Sequence, residues 1–384
     1  MESNTMSFRG SKRAESRFNG LPPIELLPDE KTPDGFVPFR EMVASLSGEA
    51  CQVIVGDDAQ GGMLAVDLDD MPHIVACGTV GGGHTVFLDG VVKSLLMRSS
   101  PSEVRLVLID PLRCDFCFPT LPHECAPRPI DEREGVAAFR WAAQEANRRR
   151  LLFRETGAKD YPSYREVVCS KRARGGGCFS PELPGYLPRA VIMVSDIRRL
   201  MKFAGSEMEQ CVSSLVGDGE STGIHLIATM RSSYGLERQK RWLSSINCQI
   251  VLPERNEDEP PSYEGERPLS GGELLMIKGA ADCSVVRGHL PYVMSRVDLR
   301  LMATFWTCLA ESARWPGRVE SLCEAIELER NGRIREQQEA DKTELLHALE
   351  ERVDEDGYRR EVIDVLGLSG GYSSGVPSQT QRRS

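Results

Sequence analysis

The stretch MPHIVACGTVGGGHTVFLDG, residues 71–90, runs from an apolar segment through a glycine-rich turn into a helix-like pattern. Strand, turn and helix in that order make the frame of a phosphate-binding loop, G-x-x-x-x-G-K-[ST]. Gly78, Gly83 and Thr85 fill the motif's fixed positions, but His84 stands where the lysine belongs. In such a loop, glycines let backbone N–H groups point at phosphates from the start of a helix. The lysine then reaches the outer phosphates and the hydroxyl ligates Mg²⁺. Gly78, Gly81, Gly82, Gly83 and Thr85 preserve the cradle and the metal-holding hydroxyl. His84 does not preserve the charge, because an imidazole is short and, with an ordinary pKa of about 6.5, mostly neutral at pH 7. Phosphate binding at 78–85 is therefore expected to be weak and to improve towards pH 6, as His84 protonates. A plain strand-to-helix turn is the alternative.

Outward from this stretch, short apolar runs alternate with longer helical patterns. HIVAC is followed by 85–98, VRLVLID by 132–157, RAVIMVS by 197–216, and IHLIAT by 235–245; CQIVL comes next. Continuous apolar runs are the mark of strands buried on both faces. Their alternation with helices predicts an α/β fold, a mostly parallel sheet with helices on both sides. ELLMIKG and CSVVRG read as a closing hairpin, and 256–272 as a loop. Residues 319–353 carry Leu322, Ile326, Leu345, Leu346, Leu349 and Val353 among many charges, and read as two amphipathic C-terminal helices broken near Asn331-Gly332.

The chain has 384 residues, 40% hydrophobic and 27% charged, a globular composition. It contains no run of about 18 apolar residues and no secretory signal, so a cytoplasmic protein without a membrane partner is expected. Twelve scattered cysteines then read as reduced thiols rather than disulfides. A net charge of −10 excludes a surface that is basic all over, so any nucleic-acid contact must be local. The candidates are Arg148-Arg149-Arg150, Lys171 to Arg174 and Arg238 to Arg241, each either a set of DNA-phosphate contacts or a solvated face. RCDFCFPTLPHEC places Cys114, Cys117, His123 and Cys125 close in sequence, which is either a zinc site or a loop that carries thiols.

Five blocks, MPHIVACGTVGGGHT, VRLVLIDP, AAFRWAAQEANRRRLLFRETGAKDYPSYRE, PRAVIMVSDIRRLM and TGIHLIATMRSS, occur in the order found in the FtsK/SpoIIIE family. The chain resembles that family's DNA-translocase motor over residues 50–295. The resemblance implies a RecA-like P-loop ATPase core, ATP and Mg²⁺ as cofactors, a hexameric ring and double-stranded DNA as partner. The polar, Pro- and charge-rich composition of 1–35 and the low apolar content of 367–384 read as a flexible leader and a disordered tail, with a motor domain at 36–300 and a helical extension at 301–366 between them. Secretion ATPases share the core, but VRLVLIDP and the helix RWAAQEANRRR resemble the DNA-translocating branch more closely.

Against the family pattern, His84 replaces the loop lysine, Ser195 and Asp196 replace the aspartate and glutamate ending the strand RAVIMVS, and Met230 replaces a glutamine beside a retained Arg231. Each change removes charge or hydrogen-bonding reach from the centre of phosphoryl transfer. Asp196 and Arg231 remain as catalytic candidates. The expectation is a hydrolytically weak or inactive member, a homo-oligomer or a subunit that mixes with an active homologue. An active translocase with altered site residues, and a non-catalytic scaffold that oligomerises through the motor fold, are the alternatives.

Overall fold

The computed structural model describes residues 37–46, 51–58, 60–173, 187–217, 222–231, 241–253, 269–279, 284–291, 297–310 and 318–352. The leader, the tail, residues 256–268 of the expected loop, the side chains of Lys171 to Arg174 and those of Arg238 to Arg241 lie outside them. So does most of the expected helix 235–245.

Nine strands form one mixed sheet: β1 (Gln52–Asp58), β2 (Met63–Asp67), β3 (His73–Gly78), β4 (Val104–Ile109), β5 (Arg189–Val194), β6 (Ile224–Arg231), β7 (Cys248–Val251), β8 (Glu273–Lys278) and β9 (Ser284–His289). Their spatial order is β2-β1-β9-β8-β7-β3-β6-β5-β4. The block β7-β3-β6-β5-β4 is parallel throughout. β3, β4 and β5 are buried at every residue, which is why each appears as an unbroken apolar run. β8 and β9 form the expected hairpin, and β1 and β2 extend it in antiparallel register.

Helices cover both faces of the sheet. On one face α2 (His84–Arg98) packs with α8 (Val297–Ala310), whose buried Trp306 donates its indole N–H to the Leu96 carbonyl at 3.1 Å. On the other lie α3 (Glu132–Thr156), α5 (Ile197–Ala204), α6 (Ser206–Val216), α7 (Arg241–Ser244) and the first turns of α9 (Glu320–Arg352). The pattern at 197–216 is two helices that meet at Gly205. The other helices among the described residues are α1 (Phe39–Ser45) and α4 (Tyr161–Ala173).

The chain divides into two units, residues 1–329 and 330–384. Within the first, Leu322 and Ile326 of α9 are fully buried. The predicted break near Asn331-Gly332 does not occur, since α9 is one helix of 33 residues. One glycine costs a helix about 1 kcal/mol relative to alanine, and the flanking Glu, Arg, Gln and Ala are strong helix formers. The side chains of Leu345, Leu346 and Leu349, and all of Val353, lie outside the described residues.

Within the basic run at 148–150, Arg148 is exposed, Arg149 is buried and Arg150 is half-buried. Arg149 is buried and donates to the carbonyls of Thr222, Gly223 and Pro188 at 3.2, 3.1 and 3.0 Å. Arg148 pairs with Glu145, and Arg150 reaches Asn147 and the Ser214 carbonyl. Arg149 thus ties α3 to the ends of neighbouring segments and is not presented to a ligand.

His73, His123 and His225 are among the histidines buried in the fold. Burial pulls His73, His123 and His225 down to about 3. Between pH 3 and 6.5 the unfolded chain binds protons that the folded one refuses, so each histidine removes stability as pH falls below 6.5. Between pH 7.5 and 5.5 each costs on the order of 1 kcal/mol. Chemical denaturation of a His225→Leu variant should therefore show a loss over that range smaller than wild type by on the order of 1 kcal/mol. An identical pH dependence would mean that His225 is not held neutral in the fold.

Candidate functional site

The parallel block ends its strands β3, β4, β5 and β6 along one edge. Gly78 pairs with Arg231 across β3–β6, and Ile109 with Val194 across β4–β5. The carboxyl ends of such strands are where α/β sheets hold ligands, because helix N-termini and loop backbones converge there.

The loop after β3 folds back on the segment that follows β7. Leu252 N–H donates to the Cys77 carbonyl at 2.7 Å, and Thr79 N–H to the Pro253 carbonyl at 3.3 Å. Two glycines are fixed by this arrangement. A Cβ on Gly82 would meet the Pro253 carbonyl oxygen at 2.6 Å. Gly83 has φ of 108° and lies so close to Leu290 that a Cβ would meet its Cδ1 at 2.2 Å. Gly81 also has a positive φ, 85°, and is exposed next to Val80 at the loop's tip, whereas Gly78 is buried. Gly83 caps α2 without a side-chain hydrogen bond, so no side chain competes for the N–H groups at the start of this helix. That backbone fits an anion.

The side chains depart from the expected arrangement. His84 is 4% exposed and turns inward, where Nε2–H donates to the Met230 carbonyl at 3.2 Å. Burial pulls its pKa below the ordinary value, with Arg231 acting in the same direction against the Met230 carbonyl and the carboxylates of Asp115 and Asp196. The expected gain of charge on His84 near pH 6 is thereby corrected: the ring's position favours the neutral form. Met230 is fully buried with its Sδ 4.0 Å from Cys77 Sγ, so this position supplies packing where a glutamine would supply hydrogen bonds.

Asp115, on the loop after β4, was not among the sequence candidates. Its carboxylate accepts from the Thr85 hydroxyl on Oδ1, and from the Ser195 hydroxyl and Arg231 guanidinium on Oδ2. Burial alone would raise its pKa, but those two hydroxyls, Arg231 and the Cys114 thiol hold it below the usual carboxylate range. The loop is fixed by Asp110, whose Oδ2 accepts the backbone N–H groups of Asp115 at 2.8 Å and Phe116 at 3.1 Å. Thr85, Ser195 and Arg231 thus come together, as the sequence placed them, around a carboxylate it did not reveal.

Asp196 caps α5 in the left-handed region, φ 57°, an uncommon backbone state that asparagine and aspartate tolerate best. Its N–H donates to the Thr229 hydroxyl at 3.0 Å, and its Oδ1 accepts the backbone N–H of Arg231 at 3.3 Å. The Asp196 carboxylate is therefore engaged with the end of β6.

The four residues proposed for zinc are not gathered. His123 is buried, donates from Nε2 to the Ser99 carbonyl at 2.9 Å and meets Trp306 edge-on, while Cys114 and Cys117 are exposed. Among the described residues, the metal-binding side chains that do cluster are Asp110, Cys114 and Asp115.

This is an α/β P-loop ATPase fold. Its likeness to solved structures lies in that fold. The conjugation coupling protein TcpA of pCW3, solved with ATPγS, superposes with a TM-score of 0.54 at 18% identity, covering 73% of this chain and 75% of TcpA. The cytoplasmic domain of the Thermomonospora curvata type VII secretion ATPase EccC gives 0.52 at 21%, covering 72% and 33%. In sequence, the FtsK/SpoIIIE family profile matches residues 40–239. The DNA translocase FtsK of Leptospira interrogans (serovar copenhageni, strain Fiocruz L1-130) is 30% identical over 248 residues, 63% of this chain and 25% of its own. The DNA translocase SpoIIIE of Bacillus subtilis (strain 168) is 34% identical over 182 residues, 47% and 22%. The chain belongs to the FtsK/SpoIIIE family and spans about a quarter of the length of these relatives. No helix among the described residues is long and apolar enough to cross a membrane.

The inward position of His84 has a direct spectroscopic consequence. Imidazole NMR, with the His84 signal assigned by its loss in a His84→Asn variant, should give a titration midpoint below 6.5. A midpoint at or above 6.5 would place the ring in solvent or beside an unneutralised carboxylate.

Proposed function

We propose that this protein is a nucleotide-binding member of the DNA-translocase family that acts on double-stranded DNA and hydrolyses ATP weakly or not at all, as a subunit or regulator of a ring. The observation that carries the reading is the state of the loop and its neighbours together. The backbone of 78–85 keeps an anion cradle, while His84 is turned inside and Arg231 and Thr85 are both bound to Asp115.

The backbone of Gly81, Gly82, Gly83 and Thr85 would hold the phosphates, and the Thr85 hydroxyl with the Asp115 carboxylate would hold Mg²⁺. Bound Mg²⁺-ATP supplies a transferable phosphoryl group and a cation that neutralises its charge. What this chain's own residues provide beyond that is reduced. The loop 78–85 carries no lysine for the outer phosphates, and Ser195 supplies a hydroxyl in place of a carboxylate. Asp196, one methylene shorter than glutamate, is tied to the Arg231 N–H. A displacement of about 1 Å in a water-positioning group costs about 100-fold in rate.

Part of this reading is the division into leader, motor, helical extension and tail, together with cytoplasmic location and assembly into a hexameric or mixed ring. The family supports DNA as the partner, since the relatives are named DNA translocases. One observation favours a second reading, an active translocase: Asp115 places a carboxylate beside Thr85 and Ser195, near the position from which the strand-end aspartate is missing.

Phosphate release with saturating duplex DNA separates the two. Turnover should stay well below about 1 per second, the lower end for ordinary enzymes. ATP binding with Mg²⁺ should be measurable and weaken in Thr85→Ala. Turnover of several per second that vanishes in Thr85→Ala would establish the second reading. Binding to unrelated duplexes should be similar and fall steeply with salt, and absence of all DNA binding would leave the oligomeric scaffold.

A further inference from the structure

Asp110 and Asp115 lie at the two ends of the short turn leaving β4, and Cys114 clusters with them. One ligand atom from each of the three lies within 4.8 Å of the others. The two carboxylates are buried and the thiol is exposed, so the cluster is walled by anions on the inside and reachable from solvent through Cys114. Asp110 is 4% exposed, and its two carboxylate oxygens differ sharply. Oδ2 accepts two backbone N–H groups, whereas Oδ1 has no hydrogen-bond partner among the described residues. A buried carboxylate oxygen without a donor is strongly disfavoured unless a cation or water answers it.

Asp115 is answered from the other side. The Arg231 guanidinium donates to Oδ2, and the same nitrogen lies 3.5 Å from Cys114 Sγ. One guanidinium therefore faces two of the three ligand residues, as a resident cation. Two carboxylates and one guanidinium leave the cluster one negative charge in excess.

We propose that Asp110, Cys114 and Asp115 form a divalent-cation site in which the incoming ion displaces the Arg231 guanidinium from Asp115. Ligand atoms within 4.8 Å of one another leave room for a divalent ion among them. A thiol in the set shifts preference towards borderline ions such as Mn²⁺, Co²⁺ or Zn²⁺ and away from Ca²⁺. Water completes the coordination on the exposed side. The exchange requires only a side-chain rotation, because the Arg231 backbone stays tied to Asp196 through its N–H and to Arg198 through its carbonyl. The released guanidinium then stands free at the end of β6, level with Gly78 of the loop strand. An ion held by Asp110 and Asp115 thus exchanges one bound cation for a mobile one beside the phosphate loop. The site deepens the nucleotide-binding reading but needs no nucleotide.

The test uses the full chain, freed of metal and nucleotide, titrated with Mn²⁺ while the electron paramagnetic resonance signal of the free ion is followed. One site should saturate without nucleotide. Asp110→Asn and Asp115→Asn should each weaken it about 10-fold or more. Arg231→Gln should tighten it about 2- to 5-fold, the value of a partly exposed ion pair. Cys114→Ser changes an exposed side chain, so it preserves the fold. In that variant the sulfur-to-cobalt charge-transfer absorption seen with Co²⁺ should disappear.

Mn²⁺ binding unchanged in both aspartate variants, weakened in Arg231→Gln, or seen only when ATP is added would overturn the proposal. The last outcome would leave nucleotide binding intact. Mn²⁺ binding in a protein that takes no ATP would uphold the cation site while removing the nucleotide reading. If an aspartate variant does not fold, as read by circular dichroism, the Cys114→Ser and Arg231→Gln results decide the question alone.

Discussion

The Asp115 carboxylate accepts from groups delivered by three separate segments: Thr85 from the start of α2, Ser195 from the end of β5 and Arg231 from the end of β6. A buried charge is tolerated only where it is paired and hydrogen-bonded, so these groups must stay together for Asp115 to stay ionised. The interaction links the phosphate loop to the two strands that carry the family's catalytic positions. It also fixes their present state. With its hydroxyl given to Asp115, Thr85 meets an incoming metal only together with that carboxylate, and Arg231 reaches a phosphate only by leaving it.

Around this carboxylate, the loop shows backbone and side chains under different constraints. Gly82 and Gly83 are pressed against Pro253 and Leu290, so the turn keeps its shape for packing reasons as well as for an anion. His84, which sits at the lysine's position in sequence, fits a neutral buried slot against β6. A lysine could not occupy that slot as an ammonium without losing most of its hydration. The cradle thus carries no charged side chain of its own, and Arg231 is a cation at the end of β6, with Arg198 bonded to its carbonyl.

The parallel strands were legible because burial on both faces leaves them almost wholly apolar, and HIVAC, VRLVLID, RAVIMVS, IHLIAT and CQIVL each became a strand. β1 and β2 were not. QVIVGDD ends in acids, and MLAVD alternates buried and half-buried residues over only five positions. Gly332 and Gly205 show that a glycine alone does not decide a helix. The first sits inside a continuous helix of strong formers, while the second separates two. Thr85, Ser195 and Arg231 were legible through the family pattern. Asp115 was not, because no spacing rule joins it to partners 30, 80 and 116 residues away. The C-x2-C-x5-H-x-C spacing left a zinc site and a thiol-bearing loop both open for the same reason: β4 pairing and the burial of His123, not sequence proximity, decide which side chains converge.

Asp115, rather than Ser195 or Asp196 at the strand end, is the residue about which this site is organised. A crystal structure with ATPγS and Mn²⁺, with the ion located by its anomalous scattering, tests it most directly. An anomalous peak is expected against the Asp115 carboxylate, with the Arg231 guanidinium turned away. A peak held by Asp196, with the Arg231–Asp115 pair intact, would contradict it.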